Sequence, residues 1–512
     1  MKFLRHLLNA VATVACQRLL FTTFLALAAQ VCSAADSPAQ TDALTEAQAQ
    51  LEVRLLKRAI TTLHPALHKY NSPEAMNAAV ERFDVRGKAA RTATEMYLAA
   101  TELAAAIRCG HTWTNTLNQT GLIRTSLQGA RNKLPFHLVP VESRWLVTAS
   151  AVPTVKAGDE IRSINGVAGV DIVRMMMPYL RADGSSDGKR LLQLSHDRDA
   201  TSMMDLVWPL LSPPVQGKYA IGVRRRDGHT DAISVAAMTL PERREALKTS
   251  GVTERTEADG QSSDWTLTIR DGVATMTLPT FSFWRNNNFD WAKFIDASFA
   301  RLNEQQIGHL IIDIRANEGG DGAINRALMA QLLRTPFTWP ETRTITAYER
   351  VPYVLVKYLD TWNYDFFDRT GQVEKIDERQ YIFKPKIPVD RTIRPVPMPF
   401  SGKTYVLIGG ENSSATFQLA YLIKLSGAAT LIGQPTGGNL RGLNGGELTW
   451  VTLPHSGVAV DIPLIASNPV APQPDTSVMP DVEVKRTFAA RAAGRDLEME
   501  AALQAIARDG HR

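Results

Sequence analysis

Two segments constrain this chain more than any others. His309–Gly322 reads HLIIDIRANEGGDG and Lys403–Thr416 reads KTYVLIGGENSSAT, each an apolar strand that runs into a polar, glycine-bearing turn. A buried strand that stops at Asn317-Glu318-Gly319-Gly320 leaves backbone N–H groups unpaired, and glycine lets that backbone approach a ligand closely enough to hold an oxyanion. After the second strand a helical pattern runs through Gln418, Leu419, Tyr421, Leu422 and Leu425. Strand-helix alternation over 260–340 and 400–487 therefore predicts an α/β core.

Ser413 and Ser414 stand at that strand-to-helix turn, where a serine has two readings. It caps the helix by accepting a backbone N–H, or it exposes its Oγ above the sheet over the positive end of the helix dipole, as a nucleophile does. Upstream, Ile107-Arg108-Cys109-Gly110-His111-Thr112-Trp113 carries a histidine after a helical stretch. Histidine titrates near neutrality and can take a serine proton and return it. Further on stand Ala429–Gly438 (ATLIGQPTGG) and Val478-Met479-Pro480-Asp481-Val482.

Taken in order, these motifs resemble the core of the C-terminal processing (tail-specific) serine peptidases, and the likeness extends over most of the chain after residue 50. It implies a crotonase/ClpP-like α/β core, a Ser nucleophile at Ser414 with Ser413 as the alternative, and a polypeptide substrate. In one branch a lysine serves as base, but the matching position falls near Asn439, and Arg441 keeps its proton at any ordinary pH. The Gly-His-Thr signature at Gly110-His111-Thr112 is instead similar to the tricorn-core-like branch, which implies His111 as base. There the third member of the triad is an acid before the terminal Pro-Asp element; Asp475 is the match, with Glu447 and Asp461 as substitutes. The implied oxyanion hole is the N–H of Gly319 or Gly320 together with that of Ala415. Asp313 and Arg315 are expected to pair and set the turn. The competing reading is a noncatalytic binding protein for peptides or hydrophobic ligands on the same fold.

The rest of the chain divides around this core. Residues 1–35 read as a signal peptide: Lys2, Arg5 and Arg18 precede the apolar run Leu19–Ala29, and Cys32-Ser33-Ala34 offers a small-residue cleavage site. The expectation is an exported protein, periplasmic or secreted, with the leader cleaved or kept as an anchor and no other membrane span. That segment holds three of the 57 basic residues and none of the 52 acidic ones, so 54 against 52 remain and the net charge falls from +5 to +2. The basicity is no argument for nucleic acid. Of three cysteines only Cys109 lies beyond the leader, so no internal disulfide is expected.

Residues 36–125 carry helical periodicity, with Leu51, Val53, Leu55, Leu56, Ile60 and Leu63 and then an alanine-rich run from Thr92 to Ile107. Residues 126–245 are strand-rich, and Ala157–Val167 (AGDEIRSINGV) resembles the strand-turn-strand of PDZ modules, with Asn165-Gly166 as a hairpin signal. Val170–Asp197 is a long insertion for such a module, and the module is expected to serve as a wall or gate of the cleft. The aromatic insertion 341–399 is either a lid or an embellishment packed on its own apolar surface. Residues 488–512 are expected to form one amphipathic helix, capping the core or making the subunit contact of a homo-oligomer. His64 and His68 are four apart, but Pro65 interrupts them and no third ligand is near. No phosphate loop, HExxH or CxxC pair stands in the sequence, so no cofactor or metal is expected.

Overall fold

The strands His309–Asp313 and Lys403–Ile408 lie side by side and parallel, with Leu407 opposite Asp313, in a computed structural model that describes residues 42–197, 201–249, 265–283, 289–384 and 390–509. The leader-like segment 1–35 falls outside the described residues. Both glycine-bearing turns therefore leave the sheet at the same edge, beyond the carboxyl ends of adjacent strands, where open α/β sheets bind ligands.

Among the described residues the sheet has six strands, in the order Val482–Glu483, Thr430–Gly433, Lys403–Ile408, His309–Asp313, Val273–Thr277, Thr266–Arg270. Its pairs are parallel except for the hairpin formed by the last two. Side chains alternate between faces. Leu310, Ile312, Val406, Ile408 and Leu431 pack against Ile295, Phe299, Leu328, Leu419 and Leu422 of the helices Trp291–Glu304, Ala323–Leu332 and Ser414–Ser426. Ile311, Tyr405, Leu407 and Ile432 point the other way, onto Ala502 and Ile506 of the helix Leu497–Asp509. Cover on both faces is why these strands are apolar without alternation. Each buried side chain of this kind contributes about 1.5–3 kcal/mol.

The C-terminal region corrects the expectation of one helix. It forms two, Phe488–Ala492 and Leu497–Asp509. Gly494 at φ +70° ends the first, and Asp496 accepts the Met499 N–H at 3.0 Å to start the second. Asp496 also holds Arg315 at 2.6 Å, and Arg315 in turn pairs with Asp313 at 2.7 Å.

The N-terminal helices Glu46–Leu63, Pro73–Ala89 and Ala93–Ala106 begin at Thr45, Ser72 and Thr92, each of which accepts a backbone N–H as a cap. An antiparallel sheet of Phe136–Val141, Arg144–Ser150, Glu160–Ile164, Lys218–Arg224 and Thr230–Ala236 follows, with Val167–Ala168 paired to the third. Asn165 and Gly166 turn that hairpin with φ of +52° and +80°, the left-handed pair such a two-residue loop requires. The expected boundary at residue 245 is crossed by a helix, Leu240–Thr249.

These regions share one interior. Leu56 and Tyr97 of the helices, Trp145 and Tyr219 of the antiparallel sheet, and Tyr348 and Phe367 of the 341–399 insertion belong to one buried cluster, together with Val460. The insertion is thus built into a core, though Tyr353, Trp362 and Tyr364 stay exposed. Among the described residues no helix is long and apolar enough to cross a membrane.

Candidate active site

Ser414 is the first residue of the helix Ser414–Ser426 and adopts φ +49°. A non-glycine residue in this left-handed region is strained, and persists only where its surroundings hold it. Here they do. Asn412, fully buried, accepts the Gly409 N–H at 2.8 Å and donates to the Asn317 carbonyl at 3.1 Å, while its own carbonyl receives the N–H groups of Gly437 and Gly438 at 2.8 and 3.1 Å. Thr416 Oγ1 donates to the carbonyls of Asn317 and Ser413 at 2.9 and 2.8 Å. The Ser413 hydroxyl makes no cap bond and donates to the Glu318 carbonyl at 3.0 Å. Ser414 Oγ has no hydrogen bond among the described residues. Of the two serines, the strained one has the free hydroxyl.

The glycine turn packs directly on this elbow. A Cβ added at Gly319, whose φ is +120°, would stand 2.8 Å from Ser414 Cβ and 2.9 Å from the Ala415 nitrogen. At Gly320, φ +139°, it would overlap the Phe281 backbone. Both positions require glycine. The expected donors need one correction: the Gly319 N–H is already given to Asn317 Oδ1 at 2.9 Å. Gly320 bridges in parallel to Phe281 through its neighbours, with Phe281 N–H on the Gly319 carbonyl at 3.1 Å and Asp321 N–H on the Phe281 carbonyl at 2.9 Å. Its own N–H points away from Phe281. Gly320 and Ala415 N–H therefore remain without an acceptor among the described residues.

His111 comes from the loop after the helix Ala93–Ala106. The residue is half-buried, its Nδ1 is buried without a hydrogen-bond partner, and a methyl at Gly445 would overlap its ring. Burial lowers its pKa below the ordinary histidine value; Asp183 and Glu318 oppose that, and Arg181 and Lys189 add to it. Glu318, one residue before Gly319, is thus among the charges that act on the imidazole. No hydrogen bond joins His111 to Ser414. Arg181 donates to the Gly110 carbonyl and stacks on Trp113 at 3.8 Å, and His64 Nε2 lies 3.0 Å from Thr112 Oγ1. His64 also accepts the Ala66 N–H at 3.1 Å, and burial drives its pKa down to about 3, so it is a neutral brace for this loop.

Asp475, expected as the acid of the triad, makes no hydrogen bond to His111. Its Oδ1 accepts the Ser185 N–H at 2.9 Å and Asn439 Nδ2 at 2.7 Å, and its Oδ2 lies 3.6 Å from Arg108. Burial works against its ionisation, but these donors and Arg108 outweigh it and hold the carboxyl below its usual value. The substitutes are likewise committed. Glu447 pairs with Arg369, and Asp461 accepts Asn115 Nδ2 at 2.8 Å and Asn118 Nδ2 at 2.7 Å while donating its N–H to the Trp113 carbonyl at 2.9 Å. Burial pushes Asp461 up to about 6.

Other groups arrive that the motifs did not mark. Lys189, buried, pairs with Glu318 and with Glu411 at 2.6 Å, so its ammonium ties the glycine turn to the serine turn. Asn317 and Asn412 were visible in the sequence only as turn residues. Their bonds run to strands far away, so no local signal reveals the role. Cys109 is buried and accepts Asn444 Nδ2 at 3.4 Å, and burial raises its thiol pKa, which opposes a thiolate. Behind the His111 loop lies a cavity of about 610 Å3 lined by His64, Lys69, Arg379, Arg441 and Asn468 among others.

Residues 272–463 match the sequence model of Peptidase family S41. No curated protein sequence matches the chain. Among solved structures, mature CPAF complexed with lactacystin is similar with a TM-score of 0.60 at 14% identity, covering 90% of this chain and 97% of that one. Mature CPAF by itself gives 0.56 at 14% identity, over 87% and 94%. The photosystem II D1 C-terminal processing protease gives 0.38 at 14%, over 85% and 93%. At such identity the likeness to CPAF is one of fold.

Proposed function

We propose that the chain, whose residues 272–463 match Peptidase family S41, is a serine endopeptidase of that family in which Ser414 is the nucleophile and His111 the general base. The observation that carries this reading is the strained Ser414, whose free hydroxyl stands on an elbow packed against the glycine turn at Gly319.

Ser414 Oγ attacks the carbonyl carbon of the scissile peptide bond as His111 Nε2 takes its proton. The carbonyl oxygen becomes an oxyanion and accepts hydrogen bonds from Ala415 and Gly320 N–H, each fixed before the reaction and so reorganising little during it. Collapse breaks the C–N bond, His111 gives its proton to the leaving amine, and an acyl-enzyme remains on Ser414. A water, deprotonated by His111, then releases the acid product and restores the serine. Substrate draws Ser414 and His111 into hydrogen-bond range, since such contacts are commonly loose in a free enzyme. Lys189 takes no part as base: its ammonium is ion-paired on both sides.

The test is hydrolysis of a peptide library by wild type, Ser414→Ala and His111→Ala, with thermal melts to verify folding. Loss of cleavage in both folded variants supports the reading. Cleavage that survives in Ser414→Ala refutes it, and three folded but inert proteins favour a noncatalytic binder.

A further inference from the structure

The insertion Val170–Asp197 does more than line a cleft: its residues 181–189 run across every loop of the site. Arg181 donates to the Gly110 carbonyl, the Gly184 N–H donates to the Arg108 carbonyl at 2.9 Å, and the Ser185 N–H donates to Asp475 Oδ1 at 2.9 Å. Ser186 Oγ donates to the Gly438 carbonyl at 3.1 Å, and Lys189 bridges Glu318 and Glu411. Between these lies Asp183, 1% exposed.

We propose that Asp183 is the positioning residue of His111, its carboxylate receiving Nδ1–H and so leaving Nε2 bare for the serine proton. The proposal rests on the Ser414–His111 reading and names its missing third group. Three observations meet here. His111 Nδ1 is buried with no partner, and a buried polar group left so costs about 1–3 kcal/mol. Asp183 Oδ1 accepts the Gly110 N–H at 2.8 Å, and its Oδ2 lies 3.0 Å from where a Cβ on Gly110 would stand, so the carboxylate is seated against the residue that precedes His111. The charges acting on His111 are Asp183, Arg181, Glu318 and Lys189, with Asp183 the strongest. Asp475 does not compete, because Ser185 and Asn439 occupy its Oδ1.

A carboxylate at Nδ1 steadies the imidazolium that forms during attack and fixes the tautomer before it. The two effects are separable from mere support of the loop. Asp183 favours the charged imidazole, so its loss lowers the His111 pKa and moves the acid limb of kcat/KM to lower pH; a structural brace would leave that limb where it is.

The experiment compares Asp183→Asn, Asp183→Glu and Asp475→Asn with wild type in kcat, KM and the pH profile of kcat/KM. Asp183→Asn should lose between about tenfold and 10^4-fold in kcat, with KM little changed, and shift the acid limb downward. Asp183→Glu should recover part of the loss, and Asp475→Asn should leave the limb in place. Full kcat in Asp183→Asn, or a limb that moves only in Asp475→Asn, overturns the proposal. If Asp183→Asn does not fold, 15N-histidine spectra of wild type decide: neutral His111 carrying its proton on Nδ1 supports the assignment, and a proton on Nε2 overturns it. Loss of activity in the Ser414 and His111 variants without any effect at Asp183 would sink this proposal alone and leave the peptidase reading standing.

Discussion

The serine loop and the histidine loop of this site are held by different forces. Ser414 is fixed mainly by neutral groups: Asn317, Asn412 and Thr416 bond carbonyls and N–H groups at the end of a buried parallel sheet, with the Lys189 ammonium between Glu318 and Glu411 as an ionic tie beside them. His111 is flanked by ionisable ones, with Arg181 and Asp183 on Gly110 and Asp461 on the residues that follow. Neutral bonds in a dry interior do not change with pH, whereas a loop held by titrating groups responds to it. On the proposed roles, the nucleophile and its oxyanion donors are thus set in advance, and the base is the adjustable part.

The sharpest way to break this contrast is at the nucleophile. Ser414→Ala should abolish turnover by at least about 10^3-fold while the melting curve stays that of wild type. Next is Asn412→Ala, which removes the acceptor of the Gly409 N–H and one of two donors to the Asn317 carbonyl, the other being Thr416 Oγ1. The orphaned Gly409 N–H costs roughly 1–3 kcal/mol, so denaturant unfolding should show a loss of that size that is the same at pH 5 and pH 8. A loss that varied with pH would contradict the neutral character assigned to this loop.

Asp461 tests the other side. Burial raises its pKa from 3.8 to about 6, so its contribution to stability is complete below the unfolded value and is lost as pH rises through the folded one. Between about pH 4 and pH 6 the protein should lose about 3 kcal/mol from this group. Asp461→Asn should flatten that slope, as read from urea midpoints across the range; an unchanged slope would remove Asp461 from the account. The smallest effect belongs to Asp475→Asn. This partly exposed carboxylate ties loops together without touching the imidazole, so a modest drop in melting temperature with turnover largely kept is expected, and a collapse of kcat would restore it to the triad.

Legibility in the sequence follows the same division. The serine turn is local: strand, glycines and helix start are contiguous, so Ser414, Ala415 and the glycine turn could be marked from motifs. Which glycine N–H is free could not, because Asn317 takes the Gly319 donor through a side chain that looks like any other turn residue. The histidine was marked by Gly110-His111-Thr112, but its surroundings come from distant segments. Asp183 arrives through an insertion, and Asp461 through a strand that bridges to Trp113. Asp475 was the best match before the Pro-Asp element, at a spacing about one residue short, and it bonds to Ser185 and Asn439, since position along a loop does not fix which way a carboxylate faces. The single C-terminal helix failed on one residue, Gly494, whose left-handed backbone divides an otherwise continuous amphipathic pattern.

The central claim is that Ser414 is a nucleophile activated by His111. Labelling of the folded protein with a fluorophosphonate, followed by peptide mapping, tests it directly. The account predicts modification of Ser414 that is lost in His111→Ala. Modification of Ser413 instead, or labelling of Ser414 that persists undiminished without the imidazole, would contradict it.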